Sequence, residues 1–445
     1  MTDYLNHKLY GQHLQVLNKR YTRISEKTGV EGLALLSGST TMYFADDQHP
    51  PFHSNPHFLQ WLPWVDSENS AIIWEPGRRP RLLFHSPKDY WYQPSYPQDW
   101  MEENFDVTVY EDPKEIWKVV EGWHAANPYT LLVGPTPDSA VVSKQKLQNA
   151  SSSNVLNQMN YMRAYKTDFE LDCMVTATRV GVRGHIAARS AFFANGSEYD
   201  IHMAYLQASQ QIDSRTPYAS IVALNEHAAV IHYQHYERER SHQNRSLLID
   251  AGGSHCCFGS DITRTYAFEN GEFQSLIEAA NERQQQLIKA LIPSTNWLEV
   301  HEKMHHLIAE VLVEQGILKC SPESAFEQQL TDVFFPHGIG HLLGLQTHDV
   351  GGQLNKEGRE VAPPERYPSL RLTRNLDARM VVTVEPGLYF IPILLDKIRG
   401  HKDVSWSKVG DMLPYGGIRI EDNVYFDDDG SLVNLTRNAF NELDD

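Results

Sequence analysis

The chain has 445 residues, of which 41% are hydrophobic and 22% are charged. These values lie close to the averages of globular proteins and exclude a disordered, collagen-like or coiled-coil protein. The formal net charge of −18 argues against nucleic acid or an anionic membrane as the main partner, because both attract basic surfaces. A small-molecule substrate is the favoured partner, and a prior of about 150 residues per domain predicts two or three domains.

Cysteine usage and the N-terminal sequence predict a cytoplasmic protein. Four cysteines are too few for a disulfide framework in a chain of this length, so we expect reduced thiols. The adjacent Cys256 and Cys257 are interpreted as two small strand residues, since adjacency does not match the usual spacing of zinc ligands. Charged residues interrupt residues 1–20, which argues against a signal peptide, and no run of 18 apolar residues predicts a membrane span.

The first third of the chain predicts a mixed α/β domain. Apolar residues at helical spacing predict a helix over residues 1–27. The serine-rich segment Gln148–Asn157 is typical of a linker. We therefore expect an N-terminal domain of residues 1–160 and a second domain of residues 161–445. Short apolar runs separated by Pro, Gly and Asp predict strands at Gly32–Leu36, Ser70–Trp74, Arg81–Phe84 and Tyr129–Gly134.

The second domain begins with two helix start signals. Thr167–Glu170 fits a capping box and predicts a long helix to about Asn195. Ser197–Asp200 repeats the signal and predicts a second helix to about Gln211. Residues 331–436 mix short strands with Pro- and Gly-rich loops. Between these regions, the pattern predicts strands at Ser220–Leu224, Ala228–Tyr233 and Ser246–Asp250, and helices over residues 273–316.

Two aspartates are predicted inside strands of the second domain. Asp250 follows Leu247–Ile249, and Asp261 lies in the run Ser260–Thr265. A buried carboxylate without a partner costs several kcal/mol, so something must compensate each charge. A salt bridge, for which Arg264 is a candidate, or a metal ion would satisfy this requirement.

Further downstream, histidines and glutamates complete a candidate ligand set. His337, His341 and His348 fall within twelve residues that are rich in glycine. Glycines permit close backbone approach, which suits a site crowded around a substrate or a metal. Glu385 ends one β-branched run, and Glu421 interrupts another. The candidate ligands are therefore Asp250, Asp261, His341, Glu385 and Glu421.

The order Asp, Asp, His, Glu, Glu resembles that of the pita-bread dinuclear metallopeptidases, which include methionine aminopeptidase, aminopeptidase P and prolidase. The motifs that carry this resemblance are His337–His341, Thr383–Gly387 and Gly417–Asp422. Within the family, Phe44–Asp47 and Ser369–Arg374 make the chain most similar to bacterial Xaa-Pro dipeptidases (prolidases) and organophosphorus acid anhydrolases. The resemblance covers nearly the whole chain. It implies an α/β (α+β) protein in which a mixed α/β N-terminal domain precedes a C-terminal pita-bread catalytic domain.

The resemblance also implies an activity and its cofactors. The implied reaction is hydrolysis of Xaa-Pro dipeptides at a trans imide bond by a metal-bridging hydroxide, with side hydrolysis of organophosphorus triesters and fluoridates. Glu385 would both bind metal and accept the proton of the attacking water. The five implied ligands of two divalent ions per subunit are Asp250, Asp261, His341, Glu385 and Glu421.

Residues around the implied metal centre match further positions of the family. Arg371 would bind the free carboxylate of the dipeptide, and Tyr218 would line the pocket. Asp47 would reach the active site of a neighbouring subunit, which implies a homodimer or a higher homo-oligomer. The positions that would contact substrate or stabilise the tetrahedral intermediate are His232, His337 and His348, with Arg419 beside the ligand Glu421.

The donor set supports metal chemistry independently of the resemblance. Four carboxylates and one imidazole form a hard, oxygen-rich ligand shell, which suits Mn²⁺ better than the thiolate-rich shell of many zinc sites would. Co²⁺ and Zn²⁺ are the alternatives. Their formal charge of −4 would balance two divalent ions. Two ions about 3.5–4 Å apart can share a water, lower its pKa and polarise the scissile carbonyl.

Three alternative functions stay open at this stage. The runner-up is an aminopeptidase P-like Xaa-Pro aminopeptidase. A non-catalytic binding module of the same fold is a second alternative, although all five ligand positions are filled. The third is a zinc peptidase, because His301, Glu302 and His305 satisfy H-E-x-x-H. No further histidine motif follows it, and the segment is also typical of a solvated helix face.

Overall fold

The computed structural model describes residues 5–136 and 150–444. The described residues divide into two compact units. The N-terminal unit comprises the residues up to Arg163, together with Thr167–Leu171 and Lys356–Arg359. The C-terminal unit comprises Ala164–Lys166, Asp172–Asn355 and the residues from Glu360 onwards. Both units mix helices and strands, which confirms the predicted α/β class.

A five-stranded mixed sheet forms the centre of the N-terminal unit, with strand order β4-β3-β2-β1-β5. β1 pairs in parallel with β5, as β3 does with β4, and the other pairings are antiparallel. The strands are β1 Gly32–Leu36, β2 Ala71–Trp74, β3 Arg81–His85, β4 Asp106–Tyr110 and β5 Thr130–Val133. The helices are α1 His7–Thr28, α2 Pro56–Trp61, α3 Asp99–Asn104, α4 Pro113–Ala126 and α5 Ala150–Arg163.

Helix α1 is capped by Asn6 at its N-terminus and by Gly29 at its C-terminus. The Asn6 side chain accepts a hydrogen bond from the Leu9 amide, and Gly29 ends the helix at φ 76°, where a residue with a side chain would be strained. Asn18 accepts a hydrogen bond from Trp74 Nε1 at 2.8 Å, which connects α1 to β2. The buried face of the helix consists of Tyr10, His13, Leu14, Leu17, Tyr21 and Ile24.

The prediction of a linker at Gln148–Asn157 is wrong for the residues that the structure describes. These residues are helical, because α5 begins at Ala150. The serines have modest helix propensity, but Val155 and Met159 are buried. Tertiary burial therefore outweighs local propensity in this segment. Residues 148 and 149 lie outside the described ranges.

The C-terminal unit contains short sheets surrounded by helices. One sheet has the order β10-β7-β6, another β11-β14-β15, and β8-β9 and β12-β13 form two-stranded pairs. The strands are β6 Ile221–Leu224, β7 Ser246–Asp250, β8 Ser254–His255, β9 Phe258–Gly259, β10 Thr263–Ala267, β11 Val382–Val384, β12 Gly387–Tyr389, β13 Gly417–Arg419, β14 Asp422–Phe426 and β15 Leu432–Asn434. The helices are α6 Asp168–Phe193, of which the residues up to Leu171 belong to the N-terminal unit, α7 Glu198–Ser209, α8 Glu272–Lys289, α9 Trp297–Glu314, α10 Pro322–Glu327, α11 Leu330–Phe334, α12 Pro392–Leu395, α13 Trp406–Met412 and α14 Leu435–Leu443.

Both predicted capping boxes are confirmed. The Glu170 amide donates to Thr167 Oγ1, and the Thr167 amide donates to Glu170 Oε2 at 2.7 Å. Ser197 and Asp200 form the same reciprocal pair at the start of α7. Each box satisfies two backbone donors that the helix itself cannot.

The predicted strand Ala228–Tyr233 is wrong. The chain instead forms a 3₁₀ turn at Asn225–Ala229 and then irregular turns. The buried carboxylate of Glu198 organises this segment, because it accepts hydrogen bonds from the Leu224 amide and the Tyr233 hydroxyl. The pattern of apolar residues in the segment gives no indication that a distant, buried carboxylate will accept these hydrogen bonds.

The main core of the C-terminal unit lies between α8 and α9 and the strands that follow them. Within this core, Gln284 of α8 donates from Nε2 to the carbonyl oxygens of Val384 and Ile420 at 2.9 and 3.3 Å. One helix therefore fixes the two backbone segments that precede Glu385 and Glu421. Among the helices that the structure describes, none is long and apolar enough to cross a membrane.

Candidate active site

Cross-strand register brings Asp250 and Glu421 to the same residue, Thr263. Asp250 is the last residue of β7, and the antiparallel pairing with β10 places it opposite Thr263. Thr263 also forms an antiparallel bridge with Glu421, and its hydroxyl donates to Glu421 Oε2 at 2.7 Å. Two carboxylates that lie far apart in the sequence thus become neighbours through the hydrogen-bond ladder.

Asp261 precedes β10 instead of lying inside a strand, so that part of the sequence prediction is wrong. Its backbone is fixed by Asn423, which accepts from the Asp261 amide at 3.0 Å and donates to the Asp261 carbonyl at 2.6 Å. This double hydrogen bond replaces the strand ladder, and Asp261 is buried. Sequence reasoning missed Asn423, although it directly follows the motif Gly417–Asp422.

His341 is held against β11 by a glycine and a threonine. A Cβ atom at Gly340 would lie 2.0 Å from the Thr383 carbonyl oxygen, and the residue has φ 159°, so the close backbone approach requires glycine. The His341 amide donates to Thr383 Oγ1, and the Thr383 amide donates to the His341 carbonyl, both at 3.0 Å. His341 Nδ1 lies 3.0 Å from the Leu342 carbonyl oxygen. Donation from Nδ1 leaves the Nε2 lone pair for a cation.

The candidate ligands converge on His341 Nε2. This atom lies 3.5 Å from Asp261 Oδ2 and 3.3 Å from Glu385 Oε1. Donor atoms of Asp261, His341 and Glu421 lie within 4.8 Å of one another, and no other group of three such donors is found in the described parts of the chain. Oxygen and imidazole donors at this separation fit a divalent metal ion. The residues present therefore suit the metal chemistry that the sequence predicts.

The electrostatics of the site also favour a cation. Burial, followed by the charge of Asp250, raises the pKa of Asp261 well above its usual value. Burial and then Asp261 do the same for Glu421, and burial raises the pKa of Glu385 to about 7. Crowded carboxylates in a dry environment are costly when charged, and a bound divalent ion would compensate them.

A hydrogen-bonded chain connects Asp250 with His337. Arg419 donates to Asp250 Oδ2 and to the Tyr389 hydroxyl oxygen, both at 2.7 Å. Tyr389 lies 2.9 Å from His337 Nε2, and His337 Nδ1 lies 2.9 Å from the Gly338 carbonyl oxygen. These partners assign the proton on His337 to Nδ1 and make Nε2 the acceptor of the tyrosine hydroxyl. Sequence reasoning missed Tyr389, and its position two residues after the segment Glu385–Gly387 is only a weak signal.

Tyr218 contacts the site through Asp250. Its hydroxyl donates to Asp250 Oδ1 at 2.7 Å, so both oxygens of Asp250 accept a hydrogen bond. Each carboxylate oxygen can accept twice, which leaves room for a cation at Asp250. Burial and the charge of Asp250 raise the pKa of Tyr218 well above its usual value, so its hydroxyl stays protonated and acts as a donor.

His232, His348 and Arg371 surround this centre more loosely. The rings of His341 and His348 are perpendicular, with centroids 4.5 Å apart. Desolvation, then the charges of Arg371 and His232, lowers the pKa of His348 to about 4. His232 and Arg371 therefore lie within electrostatic range of this ring, and both are exposed. Asp47 lies in the N-terminal unit on an exposed segment, where its carboxylate accepts a hydrogen bond from Gln48.

Arg264 is not the salt-bridge partner of Asp250 or Asp261. It instead donates to Asp422 at 2.8 Å and to the Glu421 carbonyl oxygen at 2.7 Å. The side chains of Glu421 and Asp422 point to opposite sides because successive residues of an extended chain alternate. Arg264 thus supports the strand that follows Glu421, and Arg419 is the cation that pairs with a candidate ligand.

The alternative zinc motif lies on α9 and is buried, so the predicted solvated helix face is wrong for both of its histidines. His301 and His305 are 2% and 1% exposed, and their Nε2 atoms lie 3.2 Å apart. His305 Nδ1 contacts Thr331 Oγ1 at 3.0 Å. Neither residue belongs to the one group of three donors found within residues 5–136 and 150–444. These observations oppose the zinc-peptidase alternative.

Comparisons with known proteins identify relatives over nearly the full length. Residues 172–428 match the family described as metallopeptidase family M24. Residues 8–161 match a family described as the N-terminal domain of Xaa-Pro dipeptidase. The chain is 41% identical over 436 residues to an Xaa-Pro dipeptidase of Pseudoalteromonas translucida, covering 97% of this chain and 98% of that protein. It is 42% identical over 441 residues to an Xaa-Pro dipeptidase of Stenotrophomonas maltophilia, covering 97% of each.

Solved structures with a similar fold include those of Escherichia coli aminopeptidase P. A variant of that enzyme in complex with substrate has a TM-score of 0.74 at 20% sequence identity, covering 98% of this chain and 96% of the other. The form with the inhibitor Pro-Leu has a TM-score of 0.72 at 21% identity, covering 95% of each chain. At these identities the likeness establishes the fold alone.

Proposed function

The chain belongs to metallopeptidase family M24, among its Xaa-Pro dipeptidases, and we propose that it hydrolyses Xaa-Pro dipeptides at a site that holds two divalent cations. The observation that carries this proposal is the convergence of Asp261, His341 and Glu421 on one buried site. Glu385 lies 3.3 Å from His341 there, and Asp250 adjoins Glu421 through Thr263. The positions of Glu385 and Asp250 beside this group support a centre that is built from all five predicted ligands.

The proposed cations are Mn²⁺, since the donors are mainly carboxylate oxygens; Co²⁺ and Zn²⁺ are the alternatives. The residues that would hold them are Asp250, Asp261, His341, Glu385 and Glu421. When bound, such ions supply a water that is deprotonated near neutral pH and stabilise charge on the scissile carbonyl. The substrate is an imide of proline, whose nitrogen carries no hydrogen and must be protonated before it can leave.

Glu385 is proposed to move the proton that this reaction requires. Its Oε1 atom accepts a hydrogen bond from the Thr383 hydroxyl at 3.2 Å, and its Oε2 atom lies 3.8 Å from His337 Nδ1. The carboxylate would accept a proton from the attacking water and deliver it to the leaving proline nitrogen. His232, His337 and His348 would orient the substrate and stabilise the charge that develops on its carbonyl oxygen.

Arg419 and Tyr389 are proposed to position these groups. Arg419 pairs with Asp250, and Tyr389 connects Arg419 to His337. The guanidinium therefore fixes a candidate ligand and a candidate substrate-binding histidine at once. Arg371 is proposed to bind the dipeptide's free carboxylate, and Tyr218 to line the pocket beside Asp250.

Three further assignments are proposed at the level of the whole enzyme. The protein would be a cytoplasmic homodimer or higher homo-oligomer, in which Asp47 of one subunit contributes to the substrate site of its neighbour. The C-terminal domain, proposed as residues 161–445, would carry the metal centre, and residues 1–160 would mediate dimerisation. Organophosphorus triesters and fluoridates would be side substrates, because their tetrahedral phosphorus mimics the tetrahedral intermediate of peptide hydrolysis.

Metal analysis combined with ligand removal tests the proposal. Purified protein should contain about two divalent ions per chain and cleave Xaa-Pro dipeptides. Asp261→Ala and Glu421→Ala should each empty at least one metal position and lower kcat/KM by about three orders of magnitude or more, because both ions are needed to activate the water. Elemental analysis and a dipeptidase assay measure the two effects on the same preparations.

The double variant His301→Gln/His305→Gln is the matched control. It removes both histidines of the alternative zinc motif while leaving the five proposed ligands in place, so metal content and activity should change little. Normal metal content and full activity in Asp261→Ala would contradict the proposed centre. Metal-free, inactive wild-type protein after loading with Mn²⁺ would instead support the non-catalytic binding module.

A further inference from the structure

A short hairpin between Asp250 and Asp261 carries two cysteines in a strained turn. Strands β8 and β9 pair Ser254 with Gly259 and leave Cys256 and Cys257 as the two turn residues. Their φ angles are 47° and 68°, so the predicted strand conformation of this pair is wrong. Two consecutive left-handed residues define a turn in which Asn, Asp and Gly are usual. Cysteine lacks their conformational tolerance, and strain retained at such a position points to a function of the side chain.

The hairpin packs against α6 close to a third cysteine. Ser260 Oγ donates to the Ala177 carbonyl oxygen at 3.2 Å, and a Cβ atom at Gly253 would lie 2.1 Å from the same oxygen. Cys173 lies one helical turn before Ala177 and is 2% exposed. The Cys256 thiol is hydrogen-bonded to the Cys173 thiol and to His255. The left-handed turn therefore places the Cys256 thiol within hydrogen-bonding range of the Cys173 thiol.

Metal binding does not explain this cluster. The one group of three metal donors found in the described ranges contains none of the cysteines. All four cysteines lie in described residues as unbridged thiols. Two hydrogen-bonded thiols, one partly exposed and one buried, match the arrangement of an attacking cysteine beside a resolving cysteine.

We propose that Cys256 and Cys173 form a dithiol that hydrogen peroxide oxidises to an intramolecular disulfide, with Cys256 as the attacking residue. The Cys256 thiolate would attack one peroxide oxygen, and the O–O bond would break to give a sulfenic acid and hydroxide. The proton that Cys256 lost on ionisation converts this hydroxide to water. The Cys173 sulfur then attacks Cys256 Sγ, the S–O bond breaks, and the Cys173 proton leaves with the hydroxyl group as a second water. Two thiols are oxidised, and one peroxide is reduced to two waters.

The environment of Cys256 favours its role as the attacking residue. Its hydrogen bond with Cys173, and then that with His255, lowers the pKa of the Cys256 thiol to about 5, although burial acts in the opposite direction. Burial, followed by the charge of Asp403, raises the pKa of the Cys320 thiol. Because the thiolate is the nucleophile, Cys256 should react well before Cys320. The reactivities of Cys256 and Cys320 can therefore be compared within one molecule.

Peroxide treatment of the full-length, metal-loaded protein tests the proposal. After graded hydrogen peroxide and removal of the excess with catalase, remaining thiols are alkylated, and peptides are mapped by mass spectrometry without reduction. The expected product joins Cys173 to Cys256 in monomeric chains and lowers the number of free thiols from four to two. In the untreated protein at about pH 6, iodoacetamide should label Cys256 at least about tenfold faster than Cys320.

Three variants assign the roles. Cys173→Ser should prevent the bond and leave a sulfenic acid on Cys256 that dimedone traps. Cys256→Ser should abolish the rapid reaction, whereas the matched control Cys257→Ser, in the same turn, should still form the bond. A bond between Cys256 and Cys257, only intermolecular disulfides, or equal labelling of Cys256 and Cys320 would each overturn the proposal. The last comparison needs only the wild-type protein, so a variant that does not fold cannot leave the question open.

Discussion

At the residue scale, the role proposed for Arg371 is the one that would distinguish a dipeptidase from an aminopeptidase. Arg371 is exposed. Its charge is the second largest cause, after the burial of His348, of the lowered pKa of that histidine, so the guanidinium lies near the His348 ring. A guanidinium at this edge of the site can form a bidentate pair with a substrate carboxylate. In a dipeptide that carboxylate belongs to the proline itself, whereas in a tripeptide it lies one residue farther away. Substrate length therefore reports directly on the proposed role of Arg371.

Arg371→Ala should lower Xaa-Pro turnover by about 30-fold or more. The bound dipeptide would cover the exposed guanidinium, and removing one partner of a charge pair that is buried in a complex costs on the order of 2–5 kcal/mol. Neutral phosphotriesters carry no carboxylate, so any hydrolysis of them should change much less. The ratio of the two rates on one variant cancels differences in folding or metal loading. Equal losses on both substrates, or efficient cleavage of Xaa-Pro-Yaa tripeptides by the wild-type enzyme, would favour the aminopeptidase P-like alternative.

Local sequence motifs identified the candidate ligands but not the residues that orient them. Asp261, His341 and Glu421 stand in motifs that the sequence displays, and their donor atoms lie together in the structure. Thr263 lies in the run around Asp261, and Asn423 follows the motif around Glu421, but the sequence does not reveal their roles, because these depend on which strands become neighbours. Cross-strand contacts of this kind follow from tertiary register and not from spacing along the chain.

At the scale of secondary-structure elements, the predictions that rest on local sequence signals are confirmed, and those that tertiary contacts override are wrong. The start of α6 is encoded locally, since Thr167 and Glu170 lie within one turn and cap each other. The segment Ala228–Tyr233 is apolar enough for a strand, but the distant carboxylate of Glu198 draws its backbone into turns. Propensity is a weak prior that such tertiary contacts override. The type of element is thus predictable where the signal is local.

The approach of the His341 segment to β11 makes a testable prediction about Gly340. Gly340→Ala would place a methyl group 2.0 Å from the Thr383 carbonyl oxygen. The segment must then move away from β11, which should destabilise the fold by about 1–3 kcal/mol and displace His341 from the other ligands. Urea unfolding measures the stability, and elemental analysis should show a loss of bound metal.

Gly410→Ala is the matched control for Gly340→Ala. Gly410 lies in α13 of the same unit with no atom within 4 Å of the position of an added Cβ. Alanine there should leave metal content unchanged and raise stability slightly, because glycine disfavours helix. Unchanged metal binding in Gly340→Ala would show that the backbone approach does not position His341.

At the scale of the whole molecule, buried histidines connect stability to pH. His301 and His305 share one hydrogen bond between their Nε2 atoms in the core of the C-terminal unit. Burial, and then the charge of the neighbouring histidine, lowers the pKa of His301 to about 3. Burial, and then the charge of Arg366, lowers the pKa of His305 to about 3. One Nε2 donates and the other accepts in this hydrogen bond, so protonation of the accepting nitrogen would remove the contact between the rings.

The sign of the effect follows from linkage. Between pH 6.5 and about pH 3 the unfolded chain binds protons at these histidines and the folded chain does not, so the free energy of unfolding falls as the pH falls. Each histidine contributes about 1.4 kcal/mol per pH unit below its unfolded pKa. Their stabilising contribution is complete above about pH 7 and is lost progressively on acidification.

In His301→Gln/His305→Gln, the loss of stability between pH 7.5 and pH 5.5 should therefore be smaller than in the wild type by about 2–3 kcal/mol. Urea unfolding of the metal-free proteins at both pH values measures this difference. His306→Gln, on an exposed position of the same helix, should keep the wild-type pH dependence. An identical pH dependence in the wild type and the double variant would show that these two rings do not limit the acid stability of the fold.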